Sequence, residues 1–416
     1  MKRCMNFFIT FCIIINNMLF LRMVIANDSN KLINNNDINV VFTKDEVKFC
    51  TRIRTPSTMY NPDTGSTHVI ARCCGKNMCS GKTSFSPDNG KGRRLDNDKD
   101  AMVIMKTSTD GGLTWKNFQT VSPKGLSHYT NGAGIYDKVR KRLVVQYNFV
   151  PGGNTAPVVN TTTWQIFSSD DGKTWTEPKN LTPMLKSCNP NINDMEIQTA
   201  GSKVQTETGR IIFAGHDHAS NVCVWYSDDG GETYQTSKLF EGNEVSIAIL
   251  DAKKGSLYMN GRGGKRYSPH RTDYYSYDNG KSWTAGTESQ LKEDSSGGCE
   301  GSVLNVNNVL YFMEPVDKKR TKMVMHCSRD QGKTWNSQIT INGEQRGGYS
   351  DMIELPNGKI LAVWEDGSHP LGNGDDDDEG NVEKRHRHHH KHHHNDPPNP
   401  DSGNFYSAQI NTTWCQ

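Results

Sequence analysis

Four features of this 416-residue chain carry side chains able to do chemistry, and they lie far apart. The first is Arg54-Thr55-Pro56-Ser57. The second pairs Asn243-Glu244 with Asn260-Gly261-Arg262, and the third is Arg320-Thr321-Lys322-Met323. The fourth is Gly347-Gly348-Tyr349-Ser350-Asp351, followed by Val363-Trp364-Glu365. Upstream, Arg93 to Asp100 reads RRLDNDKD and offers three carboxyls in Asp96, Asp98 and Asp100. An arginine fork suits a carboxylate, which it meets with charge-assisted and partly bidentate hydrogen bonds. A tyrosine next to a carboxylate base is a nucleophile whose proton has somewhere to go. Taken singly, each feature has a plainer reading: a loop arginine is usually a solvated charge, a tyrosine in GYSD is usually packing, and neighbouring aspartates usually make a turn. Function would require a scaffold that gathers them.

A repeat supplies one. Ser108 to Trp115 reads STDGGLTW, and near-copies follow as SSDDGKTW at Ser168, SDDGGETY at Ser227, SYDNGKSW at Ser276 and SRDQGKTW at Ser328. In S-x-D-x-G-x-T-W the Asp caps backbone N–H groups, the Gly accepts positive φ and the Ser or Thr bonds locally, which predicts a β-hairpin turn. The aromatic is expected to plug the side of its own hairpin. Intervals of roughly 50 to 60 residues fit a four-stranded blade with its loops. Five copies cannot all serve one active site, so they read as scaffold.

Between the boxes, short β-rich runs such as His68 to Ala71, Arg142 to Tyr147, Val222 to Tyr226 and Lys359 to Trp364 alternate with Gly, Asn, Asp and Pro clusters. The fold expected is all-β, a six-bladed β-propeller of four-stranded antiparallel blades. Five boxes mark five blades. Arg346 to Trp364 and Phe405 to Ile410 make the sixth, closed by a strand near Val40 to Phe42 that removes exposed edges.

Met1 to Ala26 carries Lys2 and Arg3 before an apolar run, ends on Val-Ile-Ala and reads as a secretory signal peptide. Residues 27–416 form the propeller, with a His- and Asp-rich insert at about 368–403 that contains RHRHHHKHHH and cannot bury a core. The expected location is secreted or in the secretory-pathway lumen, the lysosome included. Nine cysteines beyond the signal permit disulfides without revealing their pairing. Sequons at Asn27, Asn160, Asn180 and Asn411 fit a glycosylated surface. A net charge of +2 gives no case for nucleic-acid binding or electrostatic membrane attachment, and no later segment has membrane-spanning length. Cys73-Cys74-x4-Cys79 lacks a second ligand pair at zinc spacing. His216 and His218 read as loop or pocket-wall residues, and no metal or other cofactor is expected.

Together with the boxes, the four features resemble the landmarks of the exo-α-sialidases, or neuraminidases, from Arg54 to about Ile410. Arg54-Thr55-Pro56 resembles the family's R-I-P motif, and GGCEGS at Gly297 to Ser302 resembles the G-C-Q-G-S of the animal enzymes. The resemblance implies that Arg54, Arg262 and Arg320 bind the substrate's carboxylate and that Glu365 orients Arg54. It further implies that Tyr349 is the nucleophile and Glu244 its base. It places the acid/base just before the strand leading to the first box, where Asp98 is taken first, Asp96 second and Asp100 third. Arg72 follows a strand after which the family often has another Arg. The implied reaction is retaining hydrolysis of terminal α-linked sialic acids on glycoproteins, glycolipids or oligosaccharides. Two alternatives stand beside it: a trans-sialidase that hands the sialyl group to another sugar, and a non-catalytic Asp-box propeller that binds glycans or proteins.

Overall fold

A computed structural model describes residues 33, 37–43, 46, 52–74, 100–122, 127–149, 161–188, 196–197, 201–217, 220–262, 270–292, 298–317, 320, 322–342, 347–366 and 404–415. The signal peptide, the His-rich insert, Asp96, Asp98, His218, Asn27 and Asn160 lie outside them.

Six antiparallel blades stand in a ring. Blade I comprises Arg52–Asn61, Ser66–Cys74, Asp100–Ser108 and Lys116–Thr120. Blade II comprises Ser127–Asp137, Arg142–Phe149, Thr162–Ser168 and Lys179–Asn180. Blade III is built on Lys203–Gln205, Ile211–His216, Asn221–Ser227 and Gln235–Thr236, and gains two short extra strands, Glu196–Ile197 and Phe240–Glu241. Blade IV comprises Val245–Asp251, Ser256–Gly261, His270–Ser276 and Thr287–Lys292. Blade V comprises Ser302–Val306, Val309–Val316, Lys322–Ser328 and Ser337–Thr340.

Blade VI takes Ser350–Glu354, Ile360–Glu365 and Phe405–Ile410, and its outer strand is Ile38–Phe42, paired as Ile38 with Ala408 and Phe42 with Phe405. The ring is thus closed by an early strand, as the sequence predicts. Blades I and II are also joined by two parallel residue pairs, Asp100 with Ser127 and Ala101 with His128.

Alternation of apolar residues lets each blade bury both faces, so the apolar interior is divided into six clusters, one between each pair of neighbouring blades. Disulfides add Cys188–Cys223, which ties the segment after blade II's last strand to blade III, and Cys327–Cys415, which ties blade V to the segment after the Phe405–Ile410 strand.

The boxes turn from the third to the fourth strand of blades I to V. In the first, Asp110 Oδ1 accepts from the N–H of Leu113 at 3.0 Å and of Thr114 at 2.9 Å, while Ser108 Oγ accepts from Gly112 N at 2.8 Å. Against partial burial, the Thr114 hydroxyl, which donates to Asp110 Oδ2 at 2.6 Å, the Thr114 N–H, the Ser108 hydroxyl and the Leu113 N–H hold the Asp110 carboxyl at about 2.

The aromatic is not confined to its own hairpin, although Trp335 Nε1 does donate to the Gly332 carbonyl of its own box at 3.1 Å. It reaches the preceding blade: Trp115 Nε1 donates to Ser407 Oγ of blade VI at 3.0 Å, Tyr234 Oη to Gln165 Oε1 of blade II at 2.6 Å, and Trp335 packs on Tyr258 of blade IV at 6.3 Å. The box glycine does the same with its lack of a side chain. At Gly332, where φ is +89°, a Cβ would lie 2.7 Å from the Tyr258 ring.

This topology fixes which end carries the chemistry. In each meander the first and third strands run away from one end of the ring, and the second returns to it. Glu244 and Tyr349 immediately precede first strands, Arg320 precedes a third strand by two residues, and Glu365 and Arg262 stand at the ends of second strands. All fall at one end, and the boxes at the other.

Candidate active site

The backbone sets this site before any side chain does. A β-bulge between Arg54 and Ser57 breaks the pairing with the neighbouring strand, and Thr55 sits at φ +57°, a region costly for a β-branched residue. Glu365 holds that bulge: its Oε2 accepts the Thr55 N–H at 2.9 Å, and its Oε1 lies 3.8 Å from Arg54 Nε. The same residue fixes Tyr349, since Glu365 N donates to the Tyr349 carbonyl and Gly348 N to the Glu365 carbonyl, each at 3.0 Å. Both glycines before Tyr349 are forced by close approach. A Cβ on Gly348 would lie 2.6 Å from Glu365 Oε1, and one on Gly347 would lie 2.2 Å from Met323.

At the centre, Tyr349 Oη donates a short hydrogen bond to Glu244 Oε1. Glu244 Oε2 accepts from Arg262 Nη1 at 3.0 Å, and the backbones of the two residues pair at 2.8 Å. The Arg54 guanidinium stands 5.5 Å from the centroid of the Tyr349 ring. Arg320, at φ +51°, donates from Nη2 to the Gly298 carbonyl at 2.5 Å, and its own carbonyl accepts from Gly347 N at 2.8 Å.

The charges act on one another. Burial works to lower the pKa of Arg54, and Glu365 and Tyr349 outweigh it; Arg320 pulls it down as a like charge. Arg320 is likewise raised despite burial, with Arg262 as the like charge opposing it. Three guanidiniums therefore share one field, an arrangement built to receive an anion. Burial would raise the Glu244 carboxyl, but Arg262, His216 and the Tyr349 hydroxyl hold it near 2. Burial, followed by the Glu244 charge, pushes the Tyr349 phenol well above its ordinary range. The resting pair is therefore a neutral phenol and an ionised carboxylate.

Of the residues singled out in the sequence, Tyr349, Glu244, Arg54, Arg262, Arg320 and Glu365 are brought together. Asp98 and Asp96 lie outside the described residues; Asp100 opens the third strand of blade I, and only its backbone is described. His216 ends the second strand of blade III, near enough to act on Glu244, and its Nδ1 faces the Asp217 carbonyl at 3.0 Å. Arg72 is the cross-strand partner of Arg54. Two buried neighbours carry no role from sequence. Burial pushes the Cys299 thiol up to about 12 despite Arg320 and Arg262, and the Glu300 charge reaches Tyr349. Their signal was the GGCEGS motif, noted for its resemblance alone. Among the described residues no group of three His, Cys, Asp or Glu side chains is placed to hold a metal ion.

Fold and site together define a six-bladed β-propeller with three arginines, one tyrosine and the buried carboxylates Glu244 and Glu365 gathered at one end of its axis. The chain belongs to the BNR repeat-like domain family, whose model matches residues 90–362. A sialidase of Bacteroides fragilis is 26% identical over 300 residues, covering 63% of this chain and 54% of that protein. An exo-alpha-sialidase of Arthroderma benhamiae is 25% identical over 296 residues, covering 62% of this chain and 68% of that protein. Among solved structures, a Hadza microbial sialidase superimposes with a TM-score of 0.60 at 20% identity, over 77% of this chain and 64% of that one. The resemblance read from the motifs is thus matched by relatives named as sialidases, while the chain spans about half the length of the Bacteroides relative.

Proposed function

We propose that the chain is a retaining exo-α-sialidase that releases terminal α-linked sialic acid from glycoproteins, glycolipids or oligosaccharides. The observation that carries this reading is the hydrogen bond from Tyr349 to Glu244 inside a set of three arginines. A sialic acid bears a carboxylate on the anomeric carbon itself. Arg54, Arg262 and Arg320 grip that carboxylate and orient the ring, with Glu365 steadying Arg54.

A carboxylate nucleophile would approach this centre against like charge, whereas a neutral phenol does not, and sialidases are the glycosidases that use tyrosine. Tyr349 Oη bonds to the anomeric carbon while its proton passes to Glu244, and Asp98 protonates the departing sugar oxygen. Water, activated by the same Asp98, then cleaves the tyrosyl bond, and Glu244 returns the proton to Tyr349. The high pKa of the resting phenol keeps it protonated until positive charge develops on the sugar and makes the transfer favourable. The protein acts in the secretory route, as its leading segment suggests.

Hydrolysis of a fluorogenic sialoside by the wild type and by Tyr349→Phe tests this. Turnover of the substituted enzyme at the wild-type rate would sink the mechanism. A folded wild type with no turnover would favour a glycan-binding propeller.

A further inference from the structure

Among the described residues, the largest charged side chain sealed inside the propeller belongs to none of the roles above. Arg271, in the third strand of blade IV, is fully buried, and it crosses the seam between blades IV and V at the end that carries the pocket. Its Nε donates to Asn260 Oδ1 at 2.6 Å on its own blade. Its Nη1 donates to the Cys299 carbonyl at 2.8 Å and lies 3.3 Å from Glu314 Oε2, both on the blade V side, and its Cζ stands 4.7 Å from the centroid of the Phe312 ring.

What these partners adjoin gives the contact its meaning. Asn260 lies two residues before Arg262 in the strand that delivers it, and Asn260 Nδ2 is anchored in turn on Asp273 Oδ1 at 2.9 Å. The Cys299 carbonyl follows that of Gly298, which receives Arg320 Nη2 at 2.5 Å. One guanidinium therefore bridges the strand that aims Arg262 and the loop that seats Arg320. Those two cations repel each other, so nothing in their own interaction keeps them at a common distance.

On the sialidase reading above, we propose that Arg271 is a positioning residue that sets the spacing of Arg262 and Arg320 and so the grip on the substrate's carboxylate. An arginine is required because two of its nitrogens must address opposite blades at once. A lysine keeps the charge beside Glu314 but presents a single ammonium.

The test uses Arg271→Lys and Asn260→Ala in the full chain, the second because it cuts the strut on one side while leaving Arg271 beside Glu314. Steady-state hydrolysis of a fluorogenic sialoside is combined with calorimetric binding of N-acetylneuraminic acid. Each variant should raise KM and weaken product binding about tenfold, with kcat within about threefold, because the carboxylate contact is made in ground and transition states alike. The double variant should fall well short of the product of the two effects, since both break one strut.

A purely structural role would lower the unfolding midpoint and leave KM of the folded enzyme unchanged, which overturns the proposal. Failure of both variants to fold overturns it equally, by making Arg271 a stability element. A wild type that binds N-acetylneuraminic acid without hydrolysing the sialoside defeats the hydrolase reading alone, and the binding arm still decides the strut. A wild type that does neither defeats both.

Discussion

Glu244→Gln changes one atom and removes one charge from the pocket, and the structure gives its cost at two levels. Glu244 is almost wholly buried; burial raises its carboxyl, and Arg262, His216 and Tyr349 together bring it down from 4.5 to about 2. A carboxyl depressed on folding contributes stability that is present above its unfolded pKa and lost as pH falls through the folded one. The window here runs from about 4.5 down to about 2. At roughly 1.4 kcal/mol per unit the contribution is on the order of 3 kcal/mol at neutral pH, and only about 1 kcal/mol of it remains at pH 3.

Glutamine carries no charge at any pH, so the difference in unfolding free energy between wild type and Glu244→Gln should shrink by about 2 kcal/mol between pH 7 and pH 3. Carboxyls remote from Glu244 titrate alike in both proteins and cancel. Arg262 and Tyr349 are both pushed upward and stay protonated throughout that range. Urea unfolding followed by tryptophan fluorescence at pH 7, 5 and 3 measures the gap. Sialoside turnover should fall by about 10²- to 10⁴-fold, the share of a general base. A stability gap that does not change with pH, or turnover within tenfold of wild type, would refute the reasoning.

Three further outcomes follow from the same geometry. Gly332→Ala, at φ +89° and 2.7 Å from the Tyr258 ring, should lower stability by about 2–4 kcal/mol while leaving kcat/KM per folded molecule unchanged; an unshifted denaturation midpoint would contradict the inter-blade role of the box. Glu365→Gln keeps an acceptor for Thr55 N–H but removes the charge beside Arg54. It should raise KM about tenfold with a smaller effect on kcat, and steady-state kinetics showing no change in KM would refute Glu365 as the residue that steadies Arg54. Deleting residues 373–400 leaves the stem at which Asp366 N meets the Asn404 carbonyl at 3.2 Å. Turnover should stay within about twofold, and a large loss in a folded protein would tie the insert to substrate capture.

Much of the fold was legible because a box is a local object. Ser108, Asp110 and Thr114 satisfy one another within eight residues, so the motif announces its hairpin wherever it occurs. The pocket was legible for a related reason: the meander alternates direction, so Glu244, Arg262, Arg320, Tyr349 and Glu365, placed by their distance from the boxes, had to fall at one end. What escaped depends on which blade stands beside which. Trp115 bonds to Ser407, which lies 292 positions away in the sequence, and Arg271 meets Glu314 across a seam that no periodicity marks. The pairings Cys188–Cys223 and Cys327–Cys415 were hidden for the same reason.

The strand Ile38–Phe42 has a consequence for biosynthesis. It leaves the ribosome before any blade exists, yet its partner Phe405–Ile410 emerges only after nearly all the rest. Until then blade VI lacks two of its four strands, and its seam with blade I, where Arg54 stands beside Tyr349, is unfinished. The waiting strand has unpaired N–H and C=O groups and the apolar Val41 and Phe42, a template for unwanted pairing. Expression of this protein should therefore depend on how well chaperones shield that first strand while the ring is completed.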